Sequence, residues 1–396
     1  MSSRPAPTSF RIAVLLTALV AFGPISTDLY LASLPDMARI FGVGVERTQL
    51  TLSVFLVGFA AAMPVYGPLS DRFGRRPVIL AGIILYLGAS LVCMLAPSMD
   101  VLIAGRFAQG LGACCGPVVG RAVVRDVYPR DQAAKVMSYM ASAMALAPFA
   151  APILGGWLHS LFGWRSCFVL LALFGVVLLA GSWRLLDETN AHKDVGALSP
   201  LTMLANYRLL LADRHVLGYG ATVALIYGGM FTFISAASFV LIEIMGLPPA
   251  YFGFGFAAVI SGYITGGLVA GKQTARMGLD RMVLMGTLGC ALCGITAAVL
   301  AWSGITAMAA VLLPLMGYFL FSAMVLPNAT AAAIAPHPRM AGAASALVGF
   351  IQMVAGSVAG WLHAALFDHT TRPLGMLVAV MGVAGLAAFA GLVRRR

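Results

Sequence analysis

Between two long apolar segments of this chain lies the run Gly67-Pro-Leu-Ser-Asp71-Arg72-Phe-Gly74-Arg75-Arg76-Pro77, a knot of charge with room only for a tight turn. The flanking stretches, 48–70 and 78–97, are each long enough to cross a hydrocarbon core of about 30 Å at about 1.5 Å per residue. Two such segments joined this closely form a membrane hairpin. The three arginines of the turn then belong on the cytoplasmic side.

The composition agrees: 61% of residues are hydrophobic, only 10% are charged, and the mean hydropathy is +0.94. No soluble nucleic-acid binder hides that much apolar surface, so the net charge of +11 is a topology signal carried on short loops rather than a footprint for nucleic acid. Arg4 and Arg11 precede the first span as they would in a secretory signal. No small-residue cleavage site follows cleanly and many spans come after, so the segment is expected to be retained. The six cysteines lie in or at the ends of apolar segments, and Cys290 and Cys293 have no histidine or charged neighbour. They read as packing residues, with no metal site and no cofactor expected.

Twelve spans fit the pattern: 12–34, 48–70, 78–97, 100–124, 134–158, 164–186, 216–241, 250–271, 281–302, 305–330, 339–366 and 373–393. With both termini cytoplasmic, 20 of the 25 Lys and Arg fall on that side, four (Arg39, Arg47, Arg165, Arg372) on the other, and Arg106 within a span. Residues 187–215 carry mixed charge, Asn and Pro midway along the chain, and read as a cytoplasmic linker between halves 1–186 and 216–396. The halves resemble each other. Gly67 and Gly74 recur as Gly271 and Gly278, and Gly155-Gly156-Trp157-Leu158-His159 recurs as Ala359-Gly360-Trp361-Leu362-His363, both at an offset of 204 residues. Two distant matches in one register indicate internal duplication, and parallel repeats of this kind place a substrate site between the halves near mid-membrane.

Charge inside a span costs about 2.5–3.5 kcal/mol on insertion scales and therefore tends to face a cavity and to have a partner. Asp28 lies six residues before the outer end of span one, and Arg106 about six after the outer start of span four. Both are then roughly 9 Å inside the boundary, where they can meet if their helices line one cavity. Asp28 reads as either a proton-coupling group or half of a structural ion pair. Glu243, at the outer end of span seven, reads as either a further coupling group or an interfacial carboxylate facing water.

Further strings narrow the possibilities. Arg106-Phe-Ala-Gln109-Gly110 puts a cation and an amide on one helix face, followed by small residues that permit close packing. Span five carries Ala147-Pro148-Phe-Ala-Ala151-Pro152-Ile-Leu-Gly155-Gly156. Together with the Gly67–Arg76 loop these resemble, in turn, the fourth-helix, antiporter and second-to-third-helix motifs of the major facilitator superfamily, with alanine in place of two of the antiporter motif's usual glycines. Ser26-Thr27-Asp28-Leu29-Tyr30-Leu31, Val124-Arg125-Asp126-Val127-Tyr128-Pro129, Met230-Phe231-Thr232-Phe233-Ile234-Ser235 and Met340-Ala341-Gly342-Ala343-Ala344-Ser345 are similar to its Bcr/CflA group of bacterial drug:proton antiporters. Ala32 stands where that group carries a proline, which predicts a straighter span one near Asp28.

The resemblance implies an all-α fold of twelve transmembrane helices in two pseudo-symmetric six-helix halves, in a bacterial inner membrane. It implies proton-coupled efflux of small drugs such as bicyclomycin or chloramphenicol-type compounds with the proton gradient as energy source, and the intramembrane charges located above, Asp28, Arg106 and Glu243, are the candidates for the coupling. It also implies a cytoplasmic gate of Gly67, Asp71, Arg72, Gly74, Arg75, Arg125 and Asp126. In that gate Asp71 meets the N-terminus of span eleven and Arg75 pairs with Asp126, whereas Arg76 is an anchor. Pro148, Pro152, Gly155 and Gly156 would shape the antiporter helix. From composition and position, Tyr30, Gln109, Phe231, Phe233 and Gln352 are candidates to line the substrate cavity. The expected partners are a small-molecule drug or metabolite, protons and the lipid bilayer, with no nucleic acid and a monomeric chain. An importer or facilitator of a small metabolite on the same scaffold is the alternative. A membrane enzyme is not expected, because beside the spans Asp126 and Asp131 lie close together amid Arg125, Arg130 and Lys135, too few carboxylates to hold Mg²⁺ beside a phosphate.

Overall fold

The computed structural model of the protein describes residues 9–393 apart from His192, Val195, Leu198 and Thr306. Of the charges taken as topology signals, Arg4 and residues 394–396 lie outside the described residues. Within them the chain is helical and without strands. Hydrocarbon offers no partner to a free N–H or C=O, so a spanning segment must satisfy its backbone internally.

Span one is broken into α1 (Phe10–Val20), α2 (Phe22–Asp28), a 3₁₀ turn over Leu31–Ser33 and α3 (Leu34–Phe41). Then come α4 (Val45–Phe73), α5 (Arg75–Met94), α6 (Met99–Ala113), α7 (Cys115–Val127), α8 (Arg130–Phe162) and α9 (Arg165–Leu185). A linker helix α10 (Pro200–Ala212) precedes α11 (Arg214–Ser238), which ends in a π turn over Phe239–Ile244. The remaining helices are α12 (Pro249–Met277), α13 (Leu279–Trp302), α14 (Met308–Ile334), α15 (Ala341–Leu366) and α16 (Arg372–Ala388). Eleven of these stretches are long and apolar enough to cross a membrane, and the bent pair Phe10–Val20 with Phe22–Phe41 makes a twelfth. Span one bends by 42° at Ala21 between these two parts, and near Asp28, where Ala32 predicted a straighter span, α2 ends and a 3₁₀ turn follows. The chain turns at Ala21, ahead of Gly23 and Pro24, and unwinds again before Pro35, which has no N–H to continue a helix.

The duplication is visible in the helices themselves. α4 and α12 are both 29 residues long, and their ends are offset by 204, as are the starts of α5 and α13 and the ends of α8 and α15. Gly58 and Gly262, also 204 apart, each let α4 or α12 cross a neighbour at backbone contact: a Cβ would run into the Phe107 carbonyl of α6 in one case and the Met316 carbonyl of α14 in the other. Across the two halves α4 packs on α15 and α8 on α12.

The segment expected to be a plain linker is more ordered than that. α10 packs Leu210 against Val216, Ala344 and Leu347 at the start of α15, because a helix that leaves its apolar face uncovered outside the bilayer gains by burying it.

Adjacent glycines in α12 test the packing. Gly266 faces the Leu320 backbone, whereas Gly267 has nothing within 4 Å. Gly266→Leu should cost roughly 1–3 kcal/mol or more of stability, read as a lower melting temperature in detergent, and Gly267→Leu should leave it nearly unchanged. Equal effects would show that α12 and α14 do not cross there.

Candidate functional site

Asp28 is the last residue of α2, 3% exposed, where the helix gives way to the turn at Leu29 and Tyr30. Thr27 Oγ1 donates to its Oδ1 at 2.9 Å. Tyr227 on α11, in the other half of the chain, lies within its field. Arg106 is fully buried but does not pair with Asp28; it acts on it only through space. Its flat guanidinium lies between the rings of Tyr30, 4.5 Å from the cation, and Phe55, at 4.4 Å. In its own plane Nη1 donates to the Gln109 amide oxygen and Nε to the Thr51 carbonyl at 3.3 Å. Two aromatic faces and two in-plane acceptors compensate the buried cation without a carboxylate. Nη2 has no partner among the described residues.

This arrangement revises several of the cavity candidates. Tyr30, hydrogen-bonded to Thr51 at 2.9 Å, and Gln109, whose Nε2 donates to Ser90 at 2.8 Å, are fully buried and serve Arg106 rather than an open cavity. Phe233 packs between Phe256 and Phe319 inside the second half, because the face of α11 on which it falls points at α12 and α14. Phe231 is buried, stacked on Tyr227 and against Gly360 of α15. Gln352 is partly exposed on α15. Glu243 is exposed beside His369 at the far end of its span, the surroundings of an interfacial carboxylate.

At the end of the bundle away from the arginine-rich loop the two halves are closed on each other. Ser235 donates to Gln49 at 3.0 Å, His363 Nδ1 lies 3.4 Å from the same Gln49 oxygen, and Ser357 donates to the Ser53 carbonyl at 3.0 Å. All five residues are buried. On the opposite flank Gly156 lies against the Pro249 carbonyl and Gly253 against the Ile153 backbone, while Gly155 lies against the carbonyl of Leu29, the residue after Asp28. Pro152 is buried at the same crossing and Pro148 lies one turn earlier, partly exposed. The small residues of this segment thus join the seam between halves to the break in span one. Gln49, Ser235, Ser357 and His363 carried no signal in the sequence beyond the repeated His, because nothing in a linear order tells which buried polar groups face each other.

At the arginine-rich end a cleft of about 530 Å³ separates the halves, lined by Pro64, Gly67 and Asp71 on one wall and Met340, Gly342 and Ser345 on the other. Asp71 is bonded to Arg75 across the α4–α5 turn, and the start of α15 stands across the cleft from it. Arg75 Nε donates to Asp126 Oδ2 at 2.9 Å, the pairing implied by the resemblance. Arg125 lines the cleft, and Arg72 is exposed over the Phe73 ring.

The linker is strapped onto this loop. Glu188 accepts from the Arg75 N–H at 2.9 Å and the Arg76 N–H at 3.3 Å, which are free donors at the start of α5, and Asn190 donates to the Asp71 carbonyl at 2.9 Å. Gly74 has φ +107°, and a Cβ there would strike the Glu188 carboxylate, so glycine is required both for the turn and for the strap. Farther along, Asp213 caps α11. Burial raises its pKa, but the His215 N–H and the His337 imidazole outweigh that and hold it below the usual carboxylate range.

Glu188→Ala should free the strap. Limited trypsin cleavage after Lys193 is expected to accelerate several-fold with the bundle intact. An unchanged rate would show that Glu188 does not hold it.

A family model described as Major Facilitator Superfamily matches residues 14–360. The chain is 30% identical to a bicyclomycin resistance protein homolog of Haemophilus influenzae over 98% of its length and 97% of the relative's. It is also 30% identical to multidrug resistance protein D of Escherichia coli K12 over 93% and 92%. Its backbone is similar to that of the xylose transporter of E. coli in a partially occluded inward-open conformation, with a TM-score of 0.74 at 14% identity, covering 98% of this chain and 97% of that one.

Proposed function

The chain belongs to the Major Facilitator Superfamily and is a multi-pass membrane transporter, and from that premise we propose that it exports small drugs in exchange for protons by alternating access. In this reading the arginine-rich end and both termini face the cytoplasm of a bacterial inner membrane. The halves 1–186 and 216–396, joined by 187–215, rock as two bodies of a monomer. The cleft between Asp71 and the start of α15 is the open inner mouth, and the seam around Gln49 and His363 is the closed outer gate. The names of the drug-resistance relatives support the substrate class.

The observation that carries the coupling is the placement of Asp28: a buried carboxylate at a helix break, beside the residue whose carbonyl rests on Gly155 of the seam helix α8. Loading or removing a proton there changes what the break can tolerate, and α8 transmits the change to the outer crossing with α12. From outside, a proton neutralises Asp28 and releases the drug outward; when the cavity opens inward the proton leaves. Each net charge moved inward gains about 2.3 kcal/mol per 100 mV of inside-negative potential. Arg106, caged by Tyr30 and Phe55, supplies the fixed positive field that favours the charged Asp28 between cycles. On the inner side, Asp71 leaves Arg75 or shares it, and docks on the free N–H groups of α15 when the mouth closes. No cofactor beyond the proton gradient enters this scheme.

Asp28→Asn, reconstituted in vesicles with an imposed pH gradient, should lose gradient-driven chloramphenicol efflux while retaining a monodisperse fold. Efflux at the rate and proton stoichiometry of the unmodified chain would remove Asp28 as the coupling site. Gradient-driven movement of a metabolite but of no drug would favour the metabolite reading instead. Asp71→Asn should slow turnover without reducing membrane insertion, and well-expressed protein transporting at the normal rate would remove the inner latch.

A further inference from the structure

We propose that the arginine-rich cleft is an anion site, in which Arg121, with Arg125 one turn away, receives a carboxylate or comparable anionic group on the transported molecule. The identification of the occupant as cargo rests on the export reading above; the anion site itself rests on the cleft.

Arg121 lies six residues before the end of α7, well inside the helix, and lines the cleft together with Arg125. A basic residue that served only as a topology anchor would extend toward the headgroups. Arg121 turns the other way. Its Nε donates at 2.6 Å to the carbonyl of Pro117, one turn deeper, and this draws the guanidinium inward with its remaining N–H groups unbonded among the described residues. Residues four apart share a helix face, so Arg121 and Arg125 stack like charges along one stripe, an arrangement that weakens a helix unless something else compensates it.

Nothing among the described residues does. Among the described residues neither Arg121 nor Arg125 takes part in a salt bridge, and the one acid lining the cleft, Asp71, is bonded to Arg75. Asp126, next to Arg125 in sequence, is also held by Arg75. The charged lining of the cleft is therefore Asp71 against Arg75, Arg121 and Arg125. Around it stand apolar and aromatic groups, Val118, Met137 and Tyr207 among them, with Met340 on the facing wall. Such a surface suits a small amphiphile with an apolar body and one anionic end, which a guanidinium can bind through two parallel N–H donors. Arg106 is not available for this role, since both its faces and two of its donors are occupied.

The test is equilibrium binding to the purified full chain in detergent, without a gradient, so that its outcome is independent of proton coupling. The probes are aromatic carboxylates, each paired with its own carboxamide, and binding is read as a shift in melting temperature with ligand concentration. The acids should bind about tenfold or more tightly than their amides. Arg121→Gln should abolish that preference, Arg121→Lys should keep most of it and so separate charge from folding, and Arg276→Gln, on a different helix, should leave it unchanged. The proposal is overturned if no acid binds, if the amides bind equally well, or if Arg121→Gln keeps the preference. A short-chain phosphatidylglycerol tests the other anion a membrane supplies: protection by it through Arg121, with none by the acids, would make the occupant a lipid headgroup and overturn the assignment to cargo. Proton-driven efflux of neutral drugs with no preference for acids would likewise overturn the anion site while leaving the export reading intact.

Discussion

Hydrocarbon gives a backbone nothing to bond to, and the rest of this molecule follows from that. Every span must be a helix, and a helix can be interrupted only where protein covers the opening. The interruption in span one obeys this rule. Residues Leu29 to Ser33 are almost wholly buried, and the carbonyl of Leu29 rests on Gly155, where the absence of a side chain on α8 allows backbone contact. Asp28 owes its position to the break, and the break owes its existence to α8. A small residue in α8 is thus a condition for the carboxylate at the end of the neighbouring α2.

The duplicated halves share geometry more than charge: Arg72 recurs as Arg276, but other charges of the first half do not recur. At the 204-residue offset that aligns α4 with α12, Asp71 falls on Ala275 and Arg75 on Leu279, so the second hairpin turn keeps its glycines but neither of these charges. Asp28 falls on Thr232 in the same register. Buried charge is costly and needs its own compensation, and the first half supplies it locally: aromatic faces and an amide around Arg106, Asp71 and Asp126 around Arg75.

The two ends of the bundle are held by different chemistry. The closed seam is a buried polar cluster in which Gln49 Nε2 and His363 Nε2 find no partner among the described residues. Unmatched polar groups make this interface costlier than an apolar one would be. At the arginine-rich end the linker divides its attachments: Glu188 and Asn190 grip the α4–α5 turn, whereas α10 packs on the start of α15. One segment therefore touches both walls of the cleft and tethers them at its mouth.

Much of this was legible beforehand. Hydropathy alone gave the number of spans, because about 20 apolar residues have one use in a membrane protein. The exact recurrence of helix ends at 204 residues was readable from glycines, since a turn with φ near +107° or +82° admits little else. The Arg75–Asp126 pair came from resemblance and is present. The direct meeting of Asp28 with Arg106 was not borne out. Depth was inferred from a boundary at residue 34, whereas the helix runs on to Phe41 and Arg106 turns instead to Tyr30 and Phe55. What the sequence by itself determined is which segments enter the membrane and where the chain must turn, because those depend on transfer free energy and backbone sterics, which are local. Which polar groups meet across the bundle was decided only by the tertiary structure: Glu188 on the α5 terminus, Gln49 on His363 and on Ser235. Those contacts depend on how helices rotate about their axes, and that rotation is set by packing across the whole bundle.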